Sequence, residues 1–124
     1  MITHLSPVVV FVKDFERSLA FYRDKVGLTL AYPPVYGPGG GWAEFRLKGA
    51  GFCLHSGGKG SNRKSPVDVH FRVKGIRAAV RQMKAKGVRF AKPVKKMPWG
   101  WETTLVDPDG NTFELLEPTP WRKG

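Results

Sequence analysis

The sequence predicts an α+β fold built from two βαβββ modules, and three observations carry that reading. The order strand, helix, strand, strand, strand occurs twice along the 124 residues. The second run falls on the first at an offset of about 61 positions. Between the runs lies Gly57–Ser65 (GGKGSNRKS), polar and glycine-rich, the composition of a linker. One domain over residues 1–124 is implied, with module one at 1–56, the linker at 57–65 and module two at 66–118.

Val8–Val12 (VVVFV) is continuous and β-branched, as in a buried strand, and it leads into Asp14, a good helix N-cap. Phe15, Leu19, Tyr22 and Val26 then recur at spacings of four, three and four, one apolar helical stripe that Gly27 is placed to end. A strand is expected near Leu28–Tyr32, followed by a Pro/Gly-rich loop at Pro33–Gly40 and by strands at Gly41–Leu47 and Phe52–Ser56. In the second run Val69, Phe71 and Val73 alternate as a strand, Ile76, Val80 and Met83 form a helical stripe, and Gly87 closes it. Strands at Val88–Pro93, Trp101–Val106 and Thr112–Leu116 complete the module. The offset places Val12 on Val73, Phe15 on Ile76, Leu19 on Val80, Tyr22 on Met83 and Cys53 on Glu114, and the helix ends Gly27 and Gly87 agree to within one residue.

A four-stranded module has one sheet face covered by its helix and the other bare. Residues two apart in a strand share a face. If Val69, Phe71 and Val73 lie under the second helix, then Asp68, His70 and Arg72 occupy the bare face, joined by Glu114 from the last strand. Cys53 and His55 take the corresponding places in module one. Carboxylates, imidazoles and a thiol on converging strands are metal-ligand and acid–base types. On residue type alone, an ion-pair network such as Arg72 with Asp68 or Glu114 accounts for them equally well.

Composition narrows the classes. Four Trp, eight Phe and three Tyr supply enough apolar surface for a core and exclude a disordered basic tail. The single cysteine, Cys53, cannot form an internal disulfide, and no apolar run approaches the roughly 20 residues of a membrane span. A cytoplasmic protein without membrane attachment is expected. Lys and Arg number 21 against 10 Asp and Glu, a net charge of +11, which raises an acidic partner. Much of the excess falls between Asp68 and Glu102, where no acidic residue occurs; Arg77, Arg81 and Lys84 there share one helix face. No nucleic-acid motif accompanies them, so sequence-specific recognition is not expected.

The segment Val12-Lys13-Asp14-Phe15-Glu16-Arg17-Ser18-Leu19-Ala20-Phe21-Tyr22, followed by Val26-Gly27-Leu28, resembles the first-helix signature of the glyoxalase / bleomycin-resistance / extradiol dioxygenase superfamily, the vicinal oxygen chelate proteins. Asp107-Pro108-Asp109-Gly110-Asn111-Thr112-Phe113-Glu114-Leu115 resembles its C-terminal turn and strand. The resemblance implies paired modules forming a U-shaped open barrel, often in a homodimer. In many of the family's enzymes, His or Glu from the first and last strand of each module holds a divalent metal. Glu114 matches the final-strand Glu, and Asp68 stands where the second module commonly has His. The first module departs from the pattern, with Pro7, which has no ligand atom in its side chain, and Cys53, where enzymes often have Glu.

His55 and His70 each lie two residues from a ligand position and share its face, so a relocated metal set of His55, Asp68 and Glu114, with His70 as an alternative to Asp68, is implied. The metal would be nickel, zinc, manganese or iron; otherwise no cofactor is needed. Two functions follow from the resemblance. One is a metal-dependent lyase, isomerase or dioxygenase in which the metal holds vicinal oxygens and Glu114 is a ligand or the catalytic proton shuttle. The other is a metal-free, drug-binding resistance protein that takes a small aromatic or anionic molecule on Trp42, Trp101, Cys53, His55, His70 and Arg72. A third reading, from charge alone, is a nonspecific polyanion binder acting through the basic helix.

Overall fold

Val8–Val12 forms β1, and Asp14 caps the helix after it, its Oδ1 accepting from the Arg17 N–H at 3.1 Å. That helix, α1 (Phe15–Ala20), continues as a wider π-helical segment over Phe21–Val26, and Gly27 ends it at φ 90°. In the computed structural model, which describes residues 1–119, β2 (Val35–Gly37), β3 (Gly40–Phe45) and β4 (Phe52–Ser56) complete a first unit ending at Gly60. A second unit begins at Ser61 and holds β5 (His70–Arg72), α2 (Ile76–Ala85), β6 (Arg89–Met97), β7 (Gly100–Val106) and β8 (Thr112–Pro118). The split falls inside the expected linker.

The two sheets have the same plan, β1-β4-β3-β2 and β5-β8-β7-β6, with one parallel pair and two antiparallel pairs each. The parallel pair needs a crossover, which the helix supplies. The sequence repeat persists in the register: Val9 opposite Cys53 in the first sheet becomes His70 opposite Glu114 in the second. Both cores lie between helix and sheet. Tyr22, Phe45 and Phe52 are fully buried in the first, the Tyr22 and Phe52 rings 5.2 Å apart. Ile76, Val80, Met83, Leu105 and Phe113 fill the second.

Two expectations are corrected. No strand forms over Leu28–Tyr32; only an isolated bridge from Leu30 to Phe45 is made before Pro33 and Pro34 interrupt the chain. The segment expected to be a loop instead holds β2, paired with β3 across a two-residue Pro38-Gly39 turn. The helix ends differ by one residue because the first helix is wider. Tyr22 and Met83 are still equivalent and both buried, so the extra residue lies after them, inside the π-helical segment, where each bond spans one residue more than in an α-helix.

Candidate functional site

The bare face of the second sheet is organised by the Asp107–Asn111 turn. Gly110 supplies the positive φ of 84° that the turn requires. The Asp107 carboxylate is buried and accepts from the backbone N–H groups of Asp109 (2.9 Å) and Asn111 (2.8 Å) and from the Asn111 side chain (2.9 Å). Asn111 in turn accepts from the Asn62 N–H at 2.8 Å. The Asn62 side chain brackets Thr112, accepting from its N–H at 2.7 Å and donating to its carbonyl at 2.9 Å. The second half of the expected linker is therefore fastened to the start of β8, two residues before Glu114.

Glu114 lies opposite His70 on β5 and Thr104 on β7. Thr104 donates to Glu114 Oε1 at 3.0 Å, whereas Oε2 is buried and has no partner among the described residues. Leaving a carboxylate oxygen buried and unpaired costs about 1–3 kcal/mol or more, so the site is short of a donor, a proton or a cation. Asp68 and His70 flank it, and one ligand atom from each of Asp68, His70 and Glu114 lies within 4.8 Å of the others. Asp68 and His70 are exposed, free to rotate onto an ion; His70 Nδ1 is also 3.9 Å from Glu102 Oε1. Arg72 is exposed on the same face as His70.

Of the residues expected to hold a metal, this grouping brings together the three of the second unit, Asp68, His70 and Glu114. The imidazole beside Asp68 and Glu114 is His70, from the same sheet. His55 belongs to the first unit, where its Nδ1 is 2.7 Å from the Ser56 carbonyl oxygen and its ring packs on Phe11 and Trp42 at 5.2 and 5.9 Å. Trp101 is corrected: it pairs with Glu117 on the helix-bearing face, with the Arg77 guanidinium 5.0 Å and the Lys96 ammonium 5.4 Å from its ring, facing away from Glu114.

The first sheet carries a different cluster on its bare face. Trp42 Nε1 donates to the Tyr32 hydroxyl at 2.6 Å, Tyr32 donates to Glu44 Oε1 at 3.3 Å, and the Cys53 thiol reaches the same oxygen at 3.7 Å. Burial, followed by the charge and the hydrogen bond of Glu44, pushes the Cys53 thiol up to about 11, so it is a neutral donor at physiological pH. Trp42, Cys53 and His55 lie in the first sheet, Trp42 opposite His55; Tyr32 and Thr104 were missed. Thr104 was signalled only by the β7–β8 register, and Tyr32, on the irregular segment before β2, carried no local signal.

Among the described residues no helix is long and apolar enough to cross a membrane. A curated relative, the uncharacterised protein YetH of Bacillus subtilis, is 32% identical over 121 residues, spanning 94% of this chain and 100% of its own. The crystal structure of TnmS3, an antibiotic-binding protein from Streptomyces sp. CB03234, superimposes with a TM-score of 0.76 at 26% identity, covering 95% of this chain and 98% of its own. FosX, a fosfomycin resistance protein of Listeria monocytogenes, has the same fold at a TM-score of 0.77 and 24% identity, covering 96% of this chain and 94% of its own. A variant of FosX was crystallised with Mn(II) and a dihydroxypropylphosphonic acid. The family model described as "Glyoxalase/Bleomycin resistance protein/Dioxygenase superfamily" matches residues 4–115. With the doubled βαβββ plan, the register-preserving repeat and the Asp107–Glu114 turn and strand already in place, that match establishes that the chain belongs to the glyoxalase/bleomycin resistance protein/dioxygenase superfamily.

Proposed function

We propose that the protein binds a small, oxygen-bearing molecule through a divalent cation held by Asp68, His70 and Glu114. The observation that carries this is Glu114 Oε2, buried with no donor among the described residues and within reach of an imidazole and a second carboxylate. The donor set fits the group: one nitrogen and two carboxylates suit manganese, iron, nickel or zinc. Bound there, the ion supplies a Lewis acid for negatively charged or vicinal oxygens. Thr104 fixes one Glu114 oxygen and leaves the other to hold or pass a proton. Arg72 offers a positive charge on the same face for an anionic group of the ligand. The Mn(II) and phosphonic acid in the FosX crystals support both features.

Protein purified without added metal should contain a divalent ion by elemental analysis, or take one up in a thermal-shift series with Ni(II), Zn(II), Mn(II) and Fe(II). At an ion concentration 100-fold above Kd the native chain gains about 2.7 kcal/mol. Glu114→Gln should lose most of that gain. A native chain that neither retains an ion nor shifts with any of the four overturns this reading.

The exposed aromatic face of the first unit favours a second reading, metal-free sequestration of a flat molecule. Phe11 is 54% exposed beside His55 and Trp42, and TnmS3 is an antibiotic-binding protein. On that reading Trp42→Ala abolishes ligand-induced quenching of tryptophan fluorescence, and Glu114→Gln leaves it intact. Both readings take the protein to be a homodimer, for which light scattering gives twice the 13.8 kDa of the chain.

A further inference from the structure

Between Asp68 and Glu102 the chain carries ten Lys or Arg and no acidic residue. All ten are exposed. Nine of them lie on α2, on the edge strand β6 and in the adjoining turns, and the tenth, Arg72, is on β5. Edge strands use lysine and proline to block pairing with other chains, which accounts for Lys92, Pro93, Lys95 and Lys96 on β6. It does not account for α2, where Arg77, Arg81 and Lys84 follow at spacings of four and three. Like charges so placed are neighbours and oppose helix formation, and α2 has no acidic residue to offset them.

The helix and the strand form one continuous surface. At one end Arg77 from α2 and Lys96 from β6 both lie over the Trp101 ring; at the other, Lys84 from α2 lies over Phe90 of β6, 5.9 Å from the ring centre. These contacts hold long cationic side chains against the sheet. Arg77 to Lys84 spans about 10 Å along the helix axis, so the surface matches several successive phosphates of a polynucleotide. A bilayer-binding surface would present apolar side chains for insertion. No exposed large hydrophobic lies on α2 or β6; between Val69 and Trp101 the described residues offer only Trp99, a single side chain in the turn after β6, and the Trp101 and Phe90 rings lie beneath cations.

We infer that α2 and β6 form a second site, independent of Asp68, His70 and Glu114, that binds the phosphate backbone of nucleic acid without reading its sequence. Four contacts from Arg77, Arg81, Lys84 and Lys96 correspond to a roughly hundredfold loss of affinity for duplex DNA between 50 and 200 mM salt.

The test is fluorescence anisotropy on the native full-length chain with labelled duplex and single-stranded oligonucleotides of two unrelated sequences. The expected result is binding that differs little between the sequences and weakens steeply with salt. The triple reversal Arg77→Glu, Arg81→Glu and Lys84→Glu should weaken it more than tenfold. A charge-matched triple reversal on the first unit, Lys25→Glu, Lys48→Glu and Lys59→Glu, should change it less than threefold. Arg77→Lys with Arg81→Lys should keep binding within threefold, and circular dichroism checks that each variant folds. Equal losses for the two triple reversals would reduce the effect to net charge and overturn the site. So would no binding at 50 mM salt, or capture by phosphatidylserine vesicles without DNA binding.

Discussion

Cys53 is fully buried, with Glu44 beside its sulfur. Its raised value favours the neutral thiol in the folded state. The stability this contributes is complete below the thiol's ordinary value of 9.0 and is lost as pH rises toward about 11. Cys53 should therefore resist alkylation by iodoacetamide at pH 7.5 and become reactive only in strong alkali. Glu44→Gln removes the neighbouring charge and should bring the onset of reactivity to lower pH; an unchanged profile would leave burial as the whole cause. Asp107 is a buried carboxylate that accepts from three donors. Asp107→Ala leaves those donors without an acceptor and should cost about 3 kcal/mol, read as a lower midpoint in urea with an unchanged slope.

At the level of elements, α2 borrows its N-terminal cap. Gly75 precedes it in the left-handed region with no side chain to accept, and the carboxylate of Glu117 on β8 receives the N–H groups of Gly75 (2.7 Å) and Ile76 (3.1 Å). Those two bonds lower the Glu117 value below its usual 4.5. The contribution to stability is therefore present above pH 4.5 and is lost as the pH falls through the lowered folded value. Glu117→Gln should flatten that acid limb of a melting-temperature profile and speed hydrogen exchange at Ile76; an unaltered acid limb would refute the assignment.

The sequence reveals α1 through Asp14 and the 15, 19, 22, 26 stripe, because caps and stripes are local signals. It cannot reveal Glu117 as a cap some forty residues from its helix, which depends on β8 running alongside. The same division holds for the candidate site. Strand parity alone groups Asp68, His70 and Glu114, because parity is a local property, and in the structure a ligand atom of each lies within 4.8 Å of the others although Asp68 precedes β5. Whether His55 or His70 completes the set, and which way Trp101 points, depends on how strands are joined and where helices rest.

Over the whole molecule, charge is the dominant electrostatic fact. A net +11 with nine of the cations clustered on α2, β6 and their turns is self-repelling. Adding salt from 10 to 200 mM shortens the Debye length to below about 10 Å, comparable with the Arg77–Lys84 span, and screens that repulsion. The melting temperature should rise over that range by calorimetry. A fall would mean that attractive pairs, not repulsion, govern the surface.

The π-helical segment has a consequence for how this chain tolerates insertion and deletion. Adding one residue to an α-helix turns everything beyond it by about 100°, which would carry buried side chains to the surface. Here the wider turns absorb the surplus after Tyr22 and return the chain to β2 and β3. The first module thus holds a built-in allowance of one codon. Removing Asp24, an exposed residue within the widened segment, should convert it to ordinary α-helix and leave a folded protein, whereas removing Arg81 from α2, which has no such slack, should not.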